Sequence, residues 1–145
     1  MNLLLDTVVV SELRRSRHPD CDPVFAAWAE SVDLSDCFIS VLTLHEMERG
    51  VLLVERKDPL RGLVYRGWLD DVRDACHGRI LPLTAEAAII AAGLHVPDPA
   101  PLADSLIVGT AMERGLALVT RNVSDFARFG IQLVNPWAGG DGRTG

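Results

Sequence analysis

Lysine is nearly absent from this chain: Lys57 is the only one, and the other positive side chains are arginine. Only three cysteines occur, Cys21, Cys37 and Cys76. Their odd number and wide spacing exclude a disulfide framework and point to reduced thiols in a cytoplasmic protein. No apolar run approaches the roughly 20 residues of a transmembrane helix, so no membrane role is expected. The opening Met1-Asn2-Leu3-Leu4-Leu5-Asp6 has no basic start and meets an acid at once, unlike a signal peptide. Familiar catalytic signatures are missing too. There is no P-loop, no G-x-G-x-x-G after the first apolar run and no G-x-S-x-G elbow. His45-Glu46 begins like a zinc-protease motif, but the second histidine position holds Arg49.

The 145 residues fit one compact domain. With 48 % hydrophobic and 23 % charged residues, the composition is globular rather than disordered. The net charge of −6 argues against a general nucleic-acid binder, unless carboxylates sharing a metal ion account for part of it. The excess of arginine reads first as genomic base composition.

Short apolar runs alternate with helical periodicity. Asn2 to Leu5 reads as a buried strand, Thr7 to Arg15 as a helix, and Pro23 opens another helix with Val24, Ala27 and Trp28 on its apolar side. Cys37 to Val41 is a second strand. Leu42 to Glu55 is a helix with Leu44, Met47, Val51 and Val54 on one face. Leu60 to Cys76 is a longer helix with Leu63, Trp68, Leu69 and Val72 as its apolar set. Arg79 to Leu81 is a third strand and Ala85 to Ala92 a helix. After the proline-rich loop 97–101, Leu102 to Arg114 is a helix ended by Gly115. Leu116 to Thr120 and Ile131 to Val134 complete the strands, with a short helical turn from Asn122 to Phe126. This alternation predicts a single α/β domain over 1–137, a mainly parallel central sheet flanked by helices, and a glycine-rich flexible tail over 138–145.

In such a sheet functional groups collect at the carboxyl ends of the strands. Asp6 closes the first strand, where it suits a functional carboxylate and a helix N-cap equally. Glu46 lies early in an apolar helix. Asp104 lies in the first turn of the 102–114 helix among Ala103, Leu106 and Ile107. Asp125 follows the strand ending at Thr120. Taken singly, a solvated face explains Glu46, dipole compensation explains Asp104 and a loop cap explains Asp125. Together their loops can converge on one sheet edge. Clustered carboxylates raise one another's pKa and need compensation, which a hard divalent cation such as Mg²⁺ or Mn²⁺ supplies. That combination suits phosphodiester hydrolysis.

Four segments carry a resemblance. Leu3-Leu4-Leu5-Asp6-Thr7, Ser40-Val41-Leu42-Thr43-Leu44-His45-Glu46, Leu102-Ala103-Asp104-Ser105-Leu106 and Leu118-Val119-Thr120-Arg121-Asn122-Val123-Ser124-Asp125-Phe126 resemble, in order, the motifs of PIN-domain ribonucleases. The ending Asn135-Pro136-Trp137 is similar to that of the VapC and FitB-like branch. The resemblance implies a PIN fold and a toxin of a VapBC-type toxin–antitoxin module, a Mg²⁺- or Mn²⁺-dependent endoribonuclease acting on tRNA or rRNA. It implies Asp6, Glu46 and Asp104 as core metal ligands and catalytic acids, with Asp125 as a fourth, more variable acid. Thr7, Thr120 and Asn122 become hydrogen-bonding groups that hold ligands or water. It further implies a homodimer, a VapB-like antitoxin as partner, and DNA contact only through that antitoxin. Arg14, Arg15 and Arg17 form a basic cluster that is either a solvated loop or a contact for RNA phosphates. Leu52 or Leu53, with Trp68, is a candidate protein–protein surface.

The alternative is a catalytically weak PIN-fold binding or regulatory module. It draws on Val8, which stands where the family usually carries asparagine. The expected consequence is weaker metal binding or slower cleavage than in a Val8→Asn variant. Metal titration and cleavage rates of the two proteins side by side check it, and equal values refute it.

Overall fold

The structure, a computed structural model, describes residues 1–139 and the backbone of 143–144. Five strands run parallel: β1 (Leu3–Leu5), β2 (Cys37–Ser40), β3 (Ile80–Leu81), β4 (Ala117–Val119) and β5 (Leu133–Val134). Their spatial order is β3-β2-β1-β4-β5, and β6 (Arg143–Thr144) adds antiparallel to β5. Seven helices connect them: α1 (Thr7–Leu13), α2 (Pro23–Ser31), α3 (Val41–Lys57), α4 (Pro59–Ala75), α5 (Ala85–Gly93), α6 (Leu102–Arg114) and α7 (Val123–Phe126). Two short 3-10 turns, Leu34–Asp36 and Ala127–Phe129, were not legible in the pattern. The expected tail coincides in part with β6; Gly140, Asp141, Gly142 and Gly145 lie outside the described residues.

The strands are apolar on both faces because helices cover both faces. Alternation along each strand divides its side chains between two cores. Leu3, Leu5, Cys37, Ile39, Ala117 and Val119 join Val9, Val10, Phe25, Met47, Val51 and Leu69 on one side. Leu4, Leu118 and Leu133 meet Ile107, Val108, Ala111, Phe126 and Phe129 on the other. Among the described residues the three cysteines are free thiols. Burial foremost, then Asp36, pushes the Cys37 thiol up to about 11.

Two apolar faces differ from the pattern. On α2 the buried residue is Phe25, while Val24 is exposed, because the helix presents Phe25 and Trp28 to the core. On α4 Leu69 is buried but Leu63 is 68 % exposed, and it lies in an exposed group with Leu60 and Val64. Leu52 and Leu53 on α3 are also exposed, whereas Trp68 is partly buried and packs against the core.

Two glycines set close geometry. Gly115 caps α6 at φ +66°, a left-handed conformation that other residues adopt only with strain, and turns the chain into β4. Gly109 lets α6 lie against α5: a Cβ there would stand 2.5 Å from the Ala87 carbonyl oxygen and 3.1 Å from the Ala91 Cβ. Gly109→Ala is therefore expected to destabilise the fold by about 1–3 kcal/mol through overpacking. Urea unfolding checks this, and an unchanged midpoint would show that the two helices can separate freely.

Candidate active site

The strand order reverses at β1. From it the chain steps outward to β2 and β3, then returns to the opposite side for β4 and β5. The carboxyl ends of β1 and β4 flank this switch point, the usual ligand position in this class of sheet. Asp6 leaves β1 at that point. Its N–H still bonds to the Val119 carbonyl at 2.9 Å, which extends the ladder by one residue. Its side chain then caps α1, with Oδ1 accepting from the Thr7 N–H at 2.9 Å. Oδ2 accepts from the Thr120 hydroxyl at 2.8 Å. The N-cap and the functional readings of Asp6 are thus compatible: one oxygen caps, and each keeps a further lone pair.

Thr7 serves two acids. Its N–H binds Asp6, and its hydroxyl donates to Glu46 Oε2 at 2.6 Å. Glu46 reaches this point from the second turn of α3, a helix capped by Ser40, whose hydroxyl accepts from the Thr43 N–H at 3.2 Å. Thr120 is fully buried, and its hydroxyl also accepts from the Asn122 N–H at 3.1 Å. Asn122 therefore acts here through its backbone, and its carbonyl accepts from the Asp125 N–H. Asp125 is exposed in the first turn of α7.

Electrostatics tie the four acids together. Burial raises the Asp6 pKa most and Glu46 adds to it, while the Thr120 and Thr7 hydrogen bonds pull it back. Burial also raises the pKa of Asp104, followed by the charges of Asp6, Asp125 and Glu46. None of the three ion pairs among the described residues involves these acids; they are His18–Asp20, Arg66–Glu48 and Arg66–Glu55. The cluster is an anionic site without a cation of its own. Its donors are all carboxylate oxygens, the chemistry of a hard divalent cation. Among the described residues no group of three or more acidic, histidine or cysteine side chains is placed closely enough to hold a metal ion as it stands. An ion such as Mg²⁺, which keeps several waters, does not require a closed protein cage.

The expected basic cluster lies elsewhere. Arg14 begins just past α1, about 10 Å along the helix from Asp6. Its guanidinium rests over Tyr65, 4.7 Å from the ring centroid, with Arg15 and Arg17 exposed beyond it. Val8 packs half-buried against the first core, so apolar contact replaces the polar group expected at that position.

Residues not singled out by the pattern support the Asp104 side. Ser105, fully buried, donates to the Leu102 carbonyl at 2.7 Å. The Ala100 N–H donates to His95 Nδ1 at 3.3 Å, which leaves the proton on Nε2 to donate to Ser105 Oγ at 2.9 Å. Arg128, just past α7, donates to the carbonyls of Leu94, Asp98 and Pro99. The loop before α6 is thereby fastened to the segment that follows Asp125. Nothing in local periodicity signals these contacts, since their acceptors are backbone carbonyls of a distant loop.

A parallel sheet covered on both faces, with acids gathered at its switch point, defines an α/β domain built for chemistry on one edge. The PIN domain family matches over residues 3–131, and the chain belongs to that family. It is 31 % identical over 142 residues to the Toxin FitB of Neisseria gonorrhoeae, covering 93 % of this chain and 98 % of that protein. It is 46 % identical over 71 residues to Ribonuclease VapC14 of Mycobacterium tuberculosis, a match spanning 49 % of this chain and 66 % of that relative. The crystal structure of FitAcB from Neisseria gonorrhoeae superposes with a TM-score of 0.83 at 29 % identity, covering 94 % of this chain and 99 % of that one.

The Asp104 shift has a consequence for stability. A folded-state pKa above the ordinary aspartate value means that ionisation opposes folding. The favourable contribution is complete below the ordinary value and is lost as pH rises through the raised one. Asp104→Asn is therefore expected to raise the Tm of metal-free protein at pH 7, with the gap closing as pH falls into the ordinary aspartate range. Equal Tm values at pH 7 would show that the acids do not repel one another.

Proposed function

We propose that this protein is the toxin of a toxin–antitoxin pair, an endoribonuclease that hydrolyses RNA phosphodiester bonds with a divalent cation, Mg²⁺ or Mn²⁺. The observation that carries the reading is the hydrogen-bonded set of Asp6, Thr7, Glu46 and Thr120 at the switch point, with Asp104 and Asp125 near enough to act by charge and no ion pair to any of the four acids among the described residues. The ribonuclease and toxin named among its relatives support the same activity. Asp6, Glu46 and Asp104 are the residues to hold the ion, with Asp125 completing the site at its exposed side. The ion, when bound, would supply Lewis-acid polarisation of the phosphodiester and an activated water.

The chain's own part is orientation. Thr120 and the Thr7 N–H clamp both oxygens of Asp6, and the Thr7 hydroxyl fixes one oxygen of Glu46. At Asp6 the hydrogen bonds favour the ionised form against the burial that opposes it. The half-buried position of Asp104 and the exposed one of Asp125 leave the site open to solvent on one side. The target within RNA, tRNA or rRNA, belongs to the same proposal.

A VapB-like antitoxin and a second copy of the chain are the proposed protein partners, with DNA reached only through the antitoxin. The exposed Leu52, Leu53, Leu60, Leu63 and Val64 on α3 and α4 support a partner on that side. The structure of a VapBC2 complex from Rickettsia felis, bound to its promoter DNA, has the same fold at a TM-score of 0.62. No helix among the described residues is long and apolar enough to cross a membrane, and the cytoplasm is the proposed compartment.

Cleavage of total cellular RNA by antitoxin-free protein, with and without Mg²⁺ or Mn²⁺, tests the reading. Cutting at few sites that requires the ion is expected. Asp104→Asn should lower the rate more than about 100-fold, beyond the range for groups that merely support a metal ligand. Ion binding without cleavage of any RNA would favour the non-catalytic binding module instead.

A further inference from the structure

The Asn135-Pro136-Trp137 motif takes no part in the acid cluster, yet it lies at the same sheet edge. It follows β5, the strand paired with β4. The Trp137 N–H donates to Asn135 Oδ1 at 3.0 Å, which sets the turn. Its ring lies 4.5 Å from that of Phe25, a fully buried side chain, so the indole is anchored to the core. The Arg121 guanidinium rests over the same ring, 5.0 Å from its centroid.

Arg121 stands between Thr120, which binds Asp6, and Asn122, whose N–H binds Thr120. Its backbone is thus tied to the acid cluster on both sides. Three other arginines rest on aromatic rings, and each places at least one donor on a partner inside the protein. Arg14 and Arg61 donate to the Tyr65 hydroxyl. Arg128, over Phe129, donates to three carbonyls. Among the described residues Arg121 makes no hydrogen bond through its guanidinium and no ion pair, and it is exposed. Stacking holds the plane of the fork without consuming its five N–H donors, a preorganised match to a phosphate group. A protein of net charge −6 whose active edge bears four carboxylates needs such a cation to receive a polyanion.

We propose that Arg121, seated on Trp137, is the residue that receives a phosphate of the RNA backbone at the sheet edge that carries the acid cluster; this rests on the ribonuclease reading above. RNA binding is measured by fluorescence polarisation, with end-labelled bulk transfer RNA across a salt series, in the non-cleaving Asp104→Asn background. Arg121→Ala is expected to weaken binding about tenfold at low salt and to reduce the slope of log K against log salt by about 0.7–0.9, one phosphate contact. Arg121→Lys should restore most of the slope but only part of the affinity, because the point charge remains and the fork is lost. Arg73→Ala, a charge loss on the exposed part of α4, should leave the slope unchanged. In cleaving protein, Arg121→Ala should raise KM more than it lowers kcat, and calorimetric Mn²⁺ affinity should stay at the parent value. Trp137→Phe, which keeps a ring under the guanidinium, should stay closer to the parent than Arg121→Ala. An unchanged KM and slope in Arg121→Ala, while the parent cleaves RNA, would overturn the assignment and leave the ribonuclease intact. Loss of Mn²⁺ affinity would also overturn it, because Arg121 would then act by holding Thr120 and Asn122. Failure of the parent itself to bind or cut RNA with Mn²⁺ would remove the ribonuclease reading and this assignment together.

Discussion

The Thr120 hydroxyl donates to Asp6 across the gap between β4 and β1, 114 positions apart in sequence. That bond sits where the sheet reverses direction, and the site depends on it. It holds one oxygen of Asp6, accepts the Asn122 N–H, and so sets the path of the chain toward Asp125. It also opposes the largest influence on Asp6, burial, which disfavours the charge that makes the residue useful. An aspartate at this switch point without such donors would be driven further toward its neutral form. The other oxygen is satisfied by the Thr7 N–H, so a helix cap and the proposed metal-binding carboxylate are combined in one side chain.

The site is a stored conflict of charge. Four acids share one edge of an already acidic protein, and no arginine among the described residues neutralises them. Metal-free folding tolerates this because Asp125 is exposed and Asp104 only half-buried, so water screens part of the repulsion. On the proposed function the same arrangement would attract a divalent cation, and an RNA backbone would need a guide. The proposal gives that task to Arg121 on Trp137, whose donors are uncommitted among the described residues.

Much of this was legible in the residues. The three-leucine strand ending in Asp6, the Pro23 helix start and the Gly115 stop all follow local rules, and each occurs within a residue or two of its expected place. The apolar face of α3 was also legible, since Met47 and Val51 are both buried. The burial of α2 and α4 was less so. Periodicity says that a face exists, but it cannot tell a core-facing stripe from one left for a partner, and Leu63 falls on the exposed side. The basic run at Arg14 suggested a substrate contact by composition. The structure sets it at the far end of α1 from Asp6, with the Arg14 guanidinium over Tyr65 and Arg15 and Arg17 exposed.

The sequence by itself determined the alternation of strands and helices, their caps and stops, and the identity of the acids. These are set by spacing, by propensity and by which atoms a side chain carries, all of which act over a few residues. Tertiary structure alone decided which acids feel one another's charge, because Coulomb interaction depends on distance in space. It alone decided the partners of the arginines as well. Arg128 spends its donors on a loop some 30 residues upstream, while among the described residues Arg121 reaches only a ring. A guanidinium's partners are fixed by the folding of distant backbone around it, and no local pattern encodes them.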